Sequence, residues 1–119
     1  MNIFQARTSQ AREWGMKDWL VVAGLFIATL ISRIPFRSRY LYGWDSGNFA
    51  LGMLDFDPAD HRPHPPGYPL YVAAAKLIDP LFSDANATLV ALSIFSTAVA
   101  VALIYVAGQR IFERRVGLL

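Results

Sequence analysis

The chain has 119 residues, 55% of them hydrophobic and 17% charged, with a formal net charge of +2 and no cysteine. A mean hydropathy of +0.34 is unusual for a soluble domain of this length and points to a membrane protein. The basic residues are too few and too scattered for a nucleic-acid surface, and without cysteine neither a disulfide framework nor a thiolate metal site can form.

Residues 1–18 carry Arg7, Arg12 and Lys17 and read as a cytoplasmic N-terminal segment. The first apolar run, residues 19–34, is "WLVVAGLFIATLISRI", with Arg33 close enough to its end to snorkel to the interface. It predicts a first transmembrane helix. A cleaved secretory leader is the competing reading, but Arg33-Ile34-Pro35 follows the run where a leader would have a small-residue cleavage site.

Residues 35–83 form a connecting loop with two helix signals. Phe49, Met53 and Phe56 recur with helical spacing beside Ala50 and Leu54, which predicts a short surface helix over 46–56 ended by Pro58. The prolines at 63, 65, 66 and 69 bar a regular helix until about Leu70, after which Ala73, Ala74, Leu77, Ile78 and Leu81 predict a second interfacial helix over 70–82. The final segment, 84–111, contains "ATLVALSIFSTAVAVALIYVAG" without a charge, and roughly twenty such residues cover the ~30 Å hydrocarbon core. Its small residues, among them Ala91, Ser93, Ala98 and Ala102, allow close helix contacts. The sequon "NAT" lies where this helix begins, so Asn86 reads as a helix-start asparagine rather than a glycosylation acceptor. Residues 112–119 return to the basic side with Arg114 and Arg115.

The fold class is therefore an all-α membrane protein with two transmembrane helices and short interfacial helices in the loop between them. Arg7, Arg12 and Lys17 on one side, and Arg110, Arg114 and Arg115 on the other, put both ends in the cytoplasm. The loop is then extracytoplasmic, in agreement with its excess of aspartate over Arg37, Arg39, Arg62 and Lys76. Trp14, Trp19, Tyr40, Tyr42 and Trp44 flank the first span as interfacial anchors do. The chain stops at "RRVGLL" and reads as a fragment of a larger multi-span protein.

Two stretches carry chemistry, "WDSGNFALG" from Trp44 and "HRPHPPGYPLY" from His61 to Tyr71. With a span on either side, this order resembles the N-terminal part of the polytopic GT-C glycosyltransferases, in particular the protein O-mannosyltransferase and lipid A aminoarabinose transferase relatives. The most specific element is "HPPGYPL", and the likeness covers nearly all of residues 18–119. It implies an integral membrane transferase of many spans. Such an enzyme moves a sugar, with inversion, from a polyprenyl-phosphate donor to an acceptor on the extracytoplasmic side. Two departures matter: Ser46 directly follows Asp45, and Asn48 stands where relatives commonly carry a glutamate. Asp45 is left as the lone acid, which favours a scheme without metal or cofactor.

Displacing a lipid phosphate from an anomeric carbon requires a base for the acceptor proton and positive groups for the leaving phosphate. Asp45 is the candidate catalytic base; Arg62, His64 and Tyr68 are the candidate substrate-binding residues, with membrane lipid and the polyprenyl-phosphate sugar as partners. Each has a plainer rival. Asp45 can cap the helix that follows, Arg62 can anchor a lipid headgroup, His64 can brace a proline turn, and Tyr68 and Tyr71 can belong to the interfacial belt. A metal site from Asp57, Asp60, His61 and His64 is disfavoured because Pro58 and Pro63 interrupt the helix that would align them. The different-class alternative is a small two-span structural or assembly protein whose outer loop binds a partner. If the resemblance holds, the isolated chain has only one wall of a site and lacks transferase activity alone.

Overall fold

A computed structural model describes residues 14–111. The cytoplasmic assignments that rest on residues 1–13 and 112–119 lie outside the described residues. Those described are helical without a strand: α1 spans Met16–Arg33, α2 Trp44–Leu54, α3 Pro69–Phe82 and α4 Ala85–Ile111. Single 3-10 turns lie at Ile34–Phe36 and Pro58–Asp60.

Two of these helices are long and apolar enough to cross a membrane, α1 with its 3-10 extension over Met16–Phe36 and α4 over Ala85–Ile111. The helix α1 begins ahead of the apolar run, because the Gly15 backbone N–H donates to the Asp18 carboxylate at 3.1 Å while Gly15 C=O accepts from Asp18 N–H at 3.0 Å. An acid in the first helical turn also complements the helix dipole. Thr29 Oγ1 donates to the Leu25 carbonyl at 2.7 Å, so this hydroxyl needs no partner outside the helix.

α1 and α4 run antiparallel and pack along one another. At one end the guanidinium of Arg110 sits 5.7 Å from the ring centroid of Trp14, which is tilted against Trp19. At the other end the Asn86 amide donates to the Ser38 carbonyl at 3.2 Å. Between them Phe26 meets Phe95 edge-on at 5.8 Å, a pair that contributes about 0.5–1.5 kcal/mol beyond its area. Ala98, Ala102, Tyr105 and Gln109 form a buried stripe of α4 at helical spacing, and its small residues permit the close approach.

α3 doubles back along the start of α4. Thr88 Oγ1 donates to Asp79 Oδ1 at 2.8 Å and Tyr71 Oη lies 3.3 Å from Ser93 Oγ, so the N-terminus of α3 lies beside the third turn of α4. The hairpin between them is closed by Ser83, which takes a positive φ of 53°. Asp84 is the residue that caps α4, its carboxylate accepting from Ala87 N–H at 2.9 Å. Asn86 lies inside the first turn, at the start of the helix. The buried face of α3 consists of Val72 and Ala75, while Leu70, Leu77 and Leu81 of the expected apolar stripe stay exposed.

α2 ends at Leu54, two residues before its expected limit. Asp55 leaves the helix in an extended conformation, and Phe56 turns back onto Gly67, where an added Cβ would lie 3.2 Å from its ring. Phe56 therefore does not continue the face of Phe49 and Met53.

Candidate functional site

The residues singled out around the proline-rich loop fall into two unequal groups. The first begins with Asp45 in the opening turn of α2. The cap of this helix is Gly43, whose carbonyl accepts from Gly47 N–H at 3.2 Å, and no side chain caps it. This corrects the plainer reading of Asp45: its carboxylate is 72% exposed and is not engaged as a helix cap.

Asp45 instead approaches His64. Its Oδ1 lies 3.6 Å from His64 Nδ1, just beyond hydrogen-bond length. That nitrogen is shielded from solvent and has no hydrogen-bond partner. Burying such a group without a bond is unfavourable, and a small rotation of the exposed carboxylate would supply one. The imidazole is held by rings on its other sides, with Phe49 at 6.0 Å and Tyr68 at 5.5 Å, both edge-on. Phe49 also meets Tyr68 and Tyr71 at 5.6 and 5.0 Å. Three of the four predicted residues are thus linked: Asp45 touches His64, and His64 touches Tyr68.

Local chain geometry produces this arrangement. His64 C=O accepts from Gly67 N–H at 2.9 Å, closing a turn over the two central prolines. Gly67 has φ +87°, and a Cβ there would fall 2.7 Å from Pro58 Cγ, so both conformation and space demand glycine. Pro63 lies on Gly52 of α2, where a Cβ would meet the proline Cδ at 2.7 Å. Helical spacing sets Asp45, Asn48, Phe49 and Gly52 on the side of α2 that the loop covers. Tyr68, at φ 46°, then opens α3 ahead of Pro69 in its first turn.

Arg62 belongs to a different unit. Asp57 and Arg62 exchange both backbone hydrogen bonds, at 2.9 and 2.8 Å, and the Asp57 carboxylate accepts from the N–H groups of Ala59 and Asp60. The guanidinium donates to Asp55 Oδ2 at 3.0 Å and to Asp60 Oδ2. The hydrogen bond and charge of Asp60, with smaller contributions from Asp55 and Asp57, raise its pKa further above the usual arginine value. Asp55 and Asp45 are separated by about 15 Å of helix rise, so Arg62 is fastened away from the proposed base. Two of the five guanidinium donors are thereby engaged, and Arg62 stands apart from the Asp45–His64–Tyr68 group. Among the described residues no three histidine or acidic side chains converge as a metal site.

A feature that sequence reasoning missed lies on the other side of Phe49. A cavity of about 420 Å³ opens between the end of α1, the start of α2 and the N-terminal turns of α4, with Arg33 and Arg37 on its wall beside Ser46, Tyr71 and Ser93. Among the described residues no carboxylate lines it. In the sequence Arg33 reads as a snorkelling residue and Arg37 as one more loop charge. Their four-residue spacing across Pro35 was the available signal, but the wall that completes the cavity comes from α4. No protein family, curated protein or solved structure matches this chain.

Proposed function

We propose that this chain forms the opening membrane unit of an inverting GT-C-type glycosyltransferase that uses a polyprenyl-phosphate sugar on the extracytoplasmic side. Both ends are cytoplasmic in this reading and residues 35–83 face outward. The exposed apolar stripes of α2 (Trp44, Leu51, Leu54) and α3 (Leu70, Leu77, Leu81) support lipid or further protein as their surroundings.

The observation that carries the proposal is the approach of the exposed Asp45 carboxylate to the shielded His64 nitrogen, within an aromatic surround suited to a sugar ring. In the reaction, the acceptor oxygen forms a bond to the anomeric carbon as the carbon–oxygen bond to the lipid phosphate breaks. The electron pair leaves with the phosphate and the acceptor proton passes to Asp45. His64 orients the carboxylate and Tyr68 positions the donor sugar. Such a base contributes typically 10²–10⁴-fold.

Deletion of the gene in its source cells tests the function without knowledge of the acceptor. The lipid extract should accumulate unconsumed polyprenyl-phosphate sugar, and the plasmid-borne gene should restore consumption. An unchanged lipid-linked pool together with loss of a membrane complex would instead establish the two-span assembly protein.

A further inference from the structure

We infer that the cavity beside Phe49 is a phosphate site for a membrane amphiphile, with Arg33 and Arg37 as its cationic pole. The inference rests on the membrane placement proposed above, and it deepens that reading by assigning the donor phosphate to a place other than Arg62. Arg33 ends α1 and Arg37 follows the 3-10 turn Ile34–Phe36, so both occupy the level where a span meets headgroups. One N–H of Arg37 is used on the Ile34 carbonyl at 3.3 Å. A guanidinium has five such donors in a fork that matches phosphate oxygens.

Charge distinguishes this place from the other basic groups. Arg62 faces two carboxylates and Arg110 covers a tryptophan ring, whereas the wall of this cavity carries hydroxyls, the Asn86 amide and apolar groups with no carboxylate among the described residues; Asp84 lines, with Arg37, the neighbouring cavity. Two guanidiniums in a partly enclosed cavity, neither in an ion pair among the described residues, create a positive potential that an anion relieves. The volume of about 420 Å³ is within the range of small-ligand sites, ~300–1,000 Å³.

The rest of the lining matches the remaining parts of such a ligand. Ser46, Tyr71 and Ser93 supply hydroxyls beside the cationic pole, and Ser46 adjoins Asp45 in sequence. Val90, Ile94 and Thr97 continue the wall along one face of α4, towards the middle of the span, which is the course an apolar tail would take. A phosphate held here leaves its substituent directed to Phe49, the ring shared by this cavity and the His64–Tyr68 cluster.

Native mass spectrometry of the full chain in neutral detergent tests the site, with undecaprenyl phosphate, undecaprenol and inorganic phosphate titrated in parallel. Undecaprenyl phosphate should bind one to one. Arg33→Gln combined with Arg37→Gln should weaken it at least ~10-fold, the loss of a charge-assisted contact, and lysine at both positions should restore part of the binding. Arg62→Gln should change it by less than about twofold, since that group is already engaged. Circular dichroism establishes that each variant keeps its helices. Inorganic phosphate bound with the same dependence on Arg33 and Arg37 would support the phosphate site with a free anion as the source. Undecaprenol bound as tightly as its phosphate, or binding indifferent to both arginines, would overturn the inference. Because no transfer is measured, the site can stand if the glycosyltransferase reading fails, and the reverse.

Discussion

Arg62 and the Arg33–Arg37 pair are both cationic, both lie near the ends of helices, and differ in what surrounds them. Arg62 closes a turn that contains its own counter-ions, Asp55 and Asp60, within seven residues. Arg33 and Arg37 stand in "SRIPFRSR", with no acid until Asp45, and they line an open cavity. The difference teaches that an arginine beside a recognisable motif can have its charge already paired by its own turn. Acids close in sequence reach a flexible guanidinium at small entropic cost, so the local turn claims the charge before any ligand arrives.

The largest effect that would sharpen this comparison belongs to the base rather than to either cationic site. In the intact transferase of the proposed reading, Asp45→Asn keeps size and removes proton acceptance, and should lower the first-order rate of sugar transfer at least ~10²-fold with donor affinity little changed. Next comes the double replacement of Arg33 and Arg37 by glutamine. In transfer assays on membranes that carry the intact transferase, it should raise the donor KM at least ~10-fold and alter kcat by less than about threefold, the pattern of lost ground-state binding.

Gly52→Leu attacks the junction that holds the Arg62 turn and His64 over α2. The added side chain meets Pro63, and overpacking of that kind destabilises by about 1–3 kcal/mol. Thermal unfolding in detergent should fall accordingly, while undecaprenyl phosphate retention by the folded fraction persists. Arg62→Gln should give the smallest change, less than about twofold in donor KM. A larger effect there than at Arg33 and Arg37 would reverse the comparison.

The two long apolar helices were legible because their signal is one-dimensional: α4 lacks charge across its central turns, and the apolar run of α1 is bounded by Lys17 and Arg33. α3 was legible because Ala73, Ala74, Leu77, Ile78 and Leu81 recur at helical spacing; Pro69, read as a barrier, instead supplies its first residue. The end of α2 was not, because periodicity continues through Phe56 while a contact with Gly67 pulls that residue off the helix axis. Within the site, Asp45, His64 and Tyr68 could be chosen from their motifs, but their contact depends on Pro63 resting on Gly52, which no spacing announces. The neutralisation of Arg62 was written in the acids at 55, 57 and 60. The cavity at Arg33 and Arg37 was not, because α4, some fifty residues further along the chain, completes it.

Two aspartates of the same loop provide the most direct test of the central claim that chemistry belongs to Asp45 and structure to the Arg62 turn. In source cells carrying either Asp45→Asn or Asp60→Asn at the chromosomal locus, the polyprenyl-phosphate sugar in the lipid extract is measured together with the amount of membrane-inserted protein. The account predicts that, per inserted molecule, consumption of the lipid-linked sugar falls at least ~10²-fold with Asp45→Asn and by less than about threefold with Asp60→Asn. Equal consumption in the two strains, with both proteins inserted at normal levels, would contradict it.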